Sequence, residues 1–146
     1  RSGKIKPLDQ FDPAAYDALL IPGGFGAAKN LSTFAFDGAD CKVNDGVAKA
    51  VTGMHNAGKP IGALCIAPVL LSRILGLGEI TIGSDKGVAE AIEKMGSTHC
   101  NTAHGEVVVD KKNKLFTTPC YMLDADIAQI GLGAENIVRA IIQNIP

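Results

Sequence analysis

The sequence predicts an α/β domain with a mostly parallel sheet. Short β-branched or apolar runs alternate with stretches of helical periodicity, the pattern of parallel strands joined by crossover helices. Seven prolines and 17 glycines punctuate those runs instead of forming a low-complexity tract. A length of 146 residues, 47% hydrophobic and 20% charged, fits one compact domain.

The elements follow in order. Residues 17–21 form the first predicted strand, stopped by Pro22 and the Gly23-Gly24 pair. A loop is expected over residues 25–42. Asn44 is placed to cap a helix in which Val47, Val51 and Met54 recur at i, i+4 and i+7, until Gly58 ends it ahead of Pro60. Residues 60–64 read as a buried strand running into Cys65, and residues 66–75 as a helix. Pro68 fits only in that helix's first turn, where its missing N–H has no intrahelical partner, so the junction falls at or beside Cys65. Residues 79–83 read as a strand; Ser84 or Asp85 caps a helix carrying Val88, Ile92 and Met95 before Gly96. Residues 106–109 and 115–118 flank the charged turn 110–114, which predicts an antiparallel hairpin added at the sheet edge. In residues 135–145, Ile137, Val138, Ile141, Ile142 and Ile145 are expected on one face of a last helix that closes the layer.

Composition narrows the function. Fourteen Lys and Arg against 15 Asp and Glu give a net charge of −1, with no long basic block and no Trp, so nucleic-acid binding has no electrostatic footprint. No apolar stretch approaches the ~18 residues of a membrane span. Cys41, Cys65, Cys100 and Cys120 lie far apart without a CxxC pair and read as free thiols of an intracellular protein. The chain starts at Arg1 without an apolar signal core, which leads to the expectation that an opening strand precedes it.

Cys65 stands between a buried strand and a helix, with small Ala63 and Ala67 two residues away on either side. That is the steric form of a nucleophile elbow, where a tight turn pushes the nucleophile above the carboxyl end of the sheet. Helix-start N–H groups there favour the thiolate. Pro22 to Gly26 ends the first strand on the same edge, and a glycine amide could join the N–H of Ile66 as an oxyanion hole. The alternatives are a small buried core cysteine and an ordinary tight turn. A nucleotide loop is excluded because Lys29 stands where GxGxxG needs its third glycine, and no GKS or GKT follows.

Partners for Cys65 are few. His55 near a helix end reads as structural, while His99 and His104 fall in a loop able to reach the sheet's carboxyl edge. Cys120 and Tyr121 follow a strand end and Pro119; Cys120 is either a packed loop thiol or a resolving thiol for oxidised Cys65. Cys41 and Cys100 read as structural. Cys65, His99 and Cys100 lack zinc-site spacing, so no metal is expected.

Pro22-Gly-Gly-Phe-Gly-Ala-Ala-Lys-Asn-Leu31, Gly58-Lys-Pro-Ile-Gly62, Cys65-Ile-Ala-Pro68 and Thr117-Thr-Pro-Cys-Tyr-Met122 together resemble the ElbB-type, glyoxalase-like branch of the class I glutamine amidotransferase-like, PfpI-related superfamily. The resemblance runs from about Asp17 to the C-terminus. It implies a flavodoxin-like three-layer sandwich in a single, N-terminally incomplete domain, with Cys65 at the elbow and oxyanion donors at Gly24 and Ile66. It further implies His99 as the pocket histidine and a substrate pocket framed by Gly23, Phe25, Asn30, Cys120 and Tyr121.

Relatives act on small dicarbonyls without a cofactor. A dimer is implied, mitochondrial if eukaryotic and cytoplasmic if bacterial. Two departures restrict the activity. Ile66 stands where PfpI-type proteases carry a histidine after the cysteine, and no histidine follows Leu115 to complete an amidotransferase triad, so peptidase and glutaminase chemistry are not expected. An acidic residue that contacts the cysteine in relatives belongs to an opening segment without a counterpart here. The resulting expectation is conversion of glyoxal or methylglyoxal to a hydroxy acid through a Cys65 hemithioacetal. The alternatives are a non-catalytic redox-sensing or interaction protein using the same thiol, and a binding domain that has kept only the scaffold.

Overall fold

The computed structural model describes residues 3–146, and it is an α/β sandwich with a mostly parallel sheet, as the alternation predicts. Four strands form that sheet: β1 (Leu19–Ile21), β2 (Ile61–Leu64), β6 (Leu115–Thr118) and β5 (Val108–Asp110), in this spatial order. β1 and β6 both run parallel to β2, and β5 is antiparallel to β6. Every residue of β2 and β6 is buried, as befits central strands covered on both faces.

Strand alternation divides the core in two. Ile61, Ala63 and Leu115 point to one face, where they pack with α3 (Asp45–Asn56) and α4 (Pro68–Leu75). Leu64 and Phe116 point to the other, against Ile137 and Ile141 of α6 (Ile127–Ile142). Gly62 also lies on that second face, where a Cβ would run into the side chains of Leu20 and Ile141, so its lack of a side chain sets how closely α6 approaches.

Asn44 caps α3 as expected, its Oδ1 accepting from the N–H groups of Gly46 and Val47. Asp85 caps α5 (Lys86–Lys94) in the same way through Val88 N–H.

Four expectations need correction. The segment 25–42 contains two short helices, α1 (Phe25–Lys29) and α2 (Phe34–Asp37), tied together by buried Ser32, which donates to the Ala27 carbonyl and accepts from Phe34 N–H. Of the strand expected over 79–83, only β3 (Glu79–Ile80) forms, and it pairs with β4 (Thr98–His99) outside the main sheet. The hairpin is not wholly an edge addition: β5 is the edge, but β6 is a central strand beside β2. Finally, α6 begins eight residues before the expected Glu135 and buries Ile137 and Ile141, while Val138, Ile142 and Ile145 stay exposed. One helical stripe cannot hold adjacent positions such as 137 and 138 equally.

Candidate functional site

The site grows from the carboxyl ends of β1, β2 and β6. Cys65 directly follows β2 and takes a left-handed backbone, φ 60°, rare for a residue with a side chain. Residues 65–67 form a turn, closed by the Ala67 N–H on the Leu64 carbonyl at 3.0 Å, before α4 starts at Pro68. Helix α4 therefore starts three residues after Cys65. Pro68 occupies its first position, as its missing donor requires. The thiol is half-buried at this strained corner, the backbone form expected of a nucleophile elbow.

Beside it, β1 delivers Gly23 and Gly24, with φ 87° and 82°. Both need glycine's freedom for those angles. Gly23 has a second constraint: a Cβ there would collide with the Leu64 carbonyl oxygen and lie 3.0 Å from Cys65 Cβ. The missing side chain thus lets the glycine loop press against the nucleophile's strand. Gly24, with open space around it, is the N-cap of α1. The N–H groups of Gly24 and Ile66 donate to no acceptor among the described residues.

Cys65, Gly24 and Ile66 line one cleft of about 320 Å³, together with Phe25, Ala28, Phe34, Ala35 and Met122. Its walls are mainly apolar, and no carboxylate, imidazole or amine belongs to this lining. A larger depression of about 430 Å³ lies between the N-terminal strap and α3, lined by residues such as Leu8, Asp9 and Lys49, and gathers no nucleophile.

Of the residues expected here, the structure brings together Cys65, Gly24, Ile66 and Phe25 in the lining, with Gly23 behind them. Asn30 ends α1 on the surface and Tyr121 is 59% exposed; neither they nor Cys120 belong to the cleft lining. Phe34 and Ala35 escaped the sequence reading, because a single helical turn inside an irregular segment shows no periodicity.

His99 is not brought to this cleft. It sits on β4 in a separate depression with Ser84, Glu90, Glu93 and Asn101, and its Nε2 accepts the Ile82 N–H at 3.3 Å. Burial pushes its pKa below the ordinary value, partly opposed by Glu93, which favours the neutral ring as acceptor for the segment that follows β3.

Cys120 stands next to Cys65. Leu64 pairs with Thr118 across β2 and β6, and Cys65 N–H donates to the Thr118 carbonyl at 3.0 Å. The chain then turns at Pro119 and Cys120, the latter also left-handed with φ 45°. Burial pushes the Cys120 thiol up, the neighbouring Cys65 charge adds to the rise, and the Cys65 backbone partly offsets it.

Residues 5–122 match the DJ-1/PfpI family. The human glutamine amidotransferase-like class 1 domain-containing protein 3, mitochondrial, is 45% identical over 97% of this chain and 56% of its own length. The rat ES1 protein homolog, mitochondrial, is 43% identical over the same shares. The chain thus spans about half the length of the curated relatives it matches. Among solved structures, an isoprenoid biosynthesis protein with amidotransferase-like domain from Ehrlichia chaffeensis superposes with TM-score 0.89 at 30% identity, covering 99% of this chain and 66% of that one. Glyoxalase III from Candida albicans superposes with TM-score 0.62 at 15% identity, over 95% of this chain and 61% of that one, a likeness of fold.

Proposed function

The chain belongs to the DJ-1/PfpI family with a class I glutamine amidotransferase-like fold, and from that premise we propose a cofactor-independent glyoxalase-like activity on small 2-oxoaldehydes. The observation that carries it is Cys65 held at a left-handed corner, lining a small apolar cleft alongside two amides, of Gly24 and Ile66, that have no acceptor among the described residues.

The Cys65 thiolate adds to the aldehyde carbon of glyoxal or methylglyoxal; the C–S bond forms and the carbonyl electron pair moves to oxygen. Gly24 and Ile66 N–H groups take up that oxyanion, a contribution whose loss costs about 10²–10³ in rate per donor in comparable sites. A proton then passes from the hemithioacetal carbon to its neighbour through an enediol, leaving a thioester of the 2-hydroxy acid. Water cleaves the thioester, releasing the acid and restoring the thiol, with no net oxidation. Placed as it is, His99 does not serve this step, and the base comes from outside the described lining.

The ElbB-type branch is part of the same proposal, supported by likeness to the Ehrlichia protein, as are a single amidotransferase-like domain and a homodimer. Mitochondrial residence in a eukaryote is supported by the names of the mammalian relatives; a bacterial protein would be cytoplasmic. The test is methylglyoxal turnover by the full-length protein, followed as loss of aldehyde and appearance of lactate. Cys65→Ala is expected to reduce turnover to background, and retained turnover in that variant overturns the scheme.

A further inference from the structure

We infer that Cys120 is the resolving thiol of Cys65, so that hydroperoxide oxidation of the site ends in a reversible Cys65–Cys120 disulfide. The inference rests on the reading of Cys65 as a reactive thiol.

Placement carries it. β2 and β6 are paired neighbours, and the Cys65 N–H to Thr118 carbonyl bond of 3.0 Å extends their pairing to the level of the nucleophile. Adjacent strands stand about 4.8 Å apart, and the Leu64–Thr118 register sets Cys65 level with Pro119, one residue before Cys120; a disulfide bridges Cα atoms about 4.4–6.8 Å apart. β6 does not run on past the site. It turns at Pro119, and the Met122 N–H closes on the Pro119 carbonyl at 3.0 Å, which keeps Cys120 at the β2–β6 strand ends near Cys65 instead of carrying it away along the strand.

Backbone strain marks the same two residues. Among the described residues only Cys65, Cys120 and Lys114 combine a side chain with positive φ, and Lys114 belongs to the hairpin turn. Glycine would adopt the Cys120 conformation freely, yet a cysteine holds it.

The other two thiols are placed elsewhere. Cys41 is completely buried beside Arg73, whose Nε donates to the Cys41 carbonyl. Cys100 follows β4, its N–H on the Ile80 carbonyl.

The chemistry balances. The Cys65 thiolate attacks the distal oxygen of a hydroperoxide; an S–O bond forms, the O–O bond breaks, and an alcohol or water leaves once protonated. Sulfur has lost two electrons and peroxide has gained them. Cys120 sulfur then attacks the Cys65 sulfenic acid, forming S–S and breaking S–O, and the departing hydroxide leaves as water with the Cys120 proton. A small thiol of the glutathione class reverses the bond by two exchanges, itself becoming a disulfide. Cys65 lines the open cleft and Cys120 does not, so a hydroperoxide meets Cys65 first and Cys120 follows. The bond shields Cys65 from irreversible sulfinic acid.

The experiment treats the full-length protein with hydrogen peroxide and maps its peptides without reduction. The expected product is a crosslink joining the Cys65 and Cys120 peptides that dithiothreitol removes. In Cys120→Ser and in Cys120→Gly, which takes the left-handed turn without strain, dithiothreitol-resistant oxidation of Cys65 should rise on the order of tenfold. Equal overoxidation of Cys65 with and without Cys120, or a crosslink to Cys41 or Cys100 instead, overturns the inference. Iodoacetamide labelling of Cys120→Gly separates the two readings. Selective labelling of Cys65 without any 65–120 crosslink in the parent protein refutes the disulfide alone; labelling no faster than Cys100 refutes the reactive thiol on which both readings depend.

Discussion

Gly23 joins backbone geometry to chemistry more tightly than any other residue of the site. Its φ of 87° lies in the region side chains avoid, and a Cβ there would strike the Leu64 carbonyl that precedes the nucleophile. The Leu64 carbonyl cannot yield easily, because it is backbone of the central strand β2. Gly23→Ala should therefore destabilise the fold by about 1–3 kcal/mol, read in a urea melt, and slow Cys65 alkylation as the glycine loop moves off β2. An unchanged melt and unchanged alkylation would show that the loop relaxes freely. The Cys65 corner was legible in the sequence because small flanking residues and Pro68 three positions on leave one place for the junction. His99 was not, because a position in a loop does not say which strand edge that loop returns to. The short pairing of Thr98–His99 with β3 decided it, carrying His99 to a different depression.

Helix α6 shows what element-scale patterning conveys and what it hides. The apolar run near Ile137 and Ile141 announces a helix, but Gly131 and Gly133 interrupt the stripe upstream and make its first half read as irregular. In the structure Gly133 is buried on the face of α6 turned to β6, where a Cβ would make only ordinary contact with Thr118 Oγ1 at 3.4 Å, so this glycine interrupts the pattern without interrupting the packing. What starts the helix is local. Asp126 accepts the Gln129 N–H at 2.8 Å, and Gln129 Oε1 accepts the Asp126 N–H at 2.9 Å, a reciprocal capping box. Asp126→Ala is expected to cost about 1 kcal/mol and to raise amide exchange in the first turn of α6. A stability unchanged within error would mean that packing on β2 and β6 alone holds that turn. Helices α1 and α2 were hidden for another reason: each is one turn long, and their cleft residues Phe34 and Ala35 are held by the Ser32 tie, which carries no periodic signal.

Across the whole molecule, titrating groups confine stability to a window around neutral pH. Asp110 ties β3 to the hairpin, accepting from Glu79 N–H and Asn113 N–H at 2.9 Å and from Asn113 Nδ2 at 2.7 Å. Burial pushes its carboxyl up, but the Asn113 side chain, together with the N–H groups of Asn113, Glu79 and Lys112, outweighs that and holds it below the ordinary 3.8. His99 is held below its ordinary 6.5 by burial. For both, the unfolded chain binds the proton more readily, so their stabilisation is present above the unfolded value and is lost as pH falls through the folded one. The thiols of Cys41, Cys100 and Cys120 are raised above 9.0, first of all by burial, so their contribution is present below 9.0 and is lost as pH rises through the folded values. Urea melts across pH should therefore show a plateau from about 6.5 to 9, a first decline just below 6.5 and a further one below 3.8. His99→Gln is expected to remove the first decline and keep the second. Asp110→Asn should lower the plateau by about 1–3 kcal/mol, since an amide replaces an acceptor serving three donors, and should flatten the deepest acid limb. If the decline below 6.5 survived in His99→Gln, the proton would be binding elsewhere, and the imidazole's bond to Ile82 would not be what links the segment after β3 to pH.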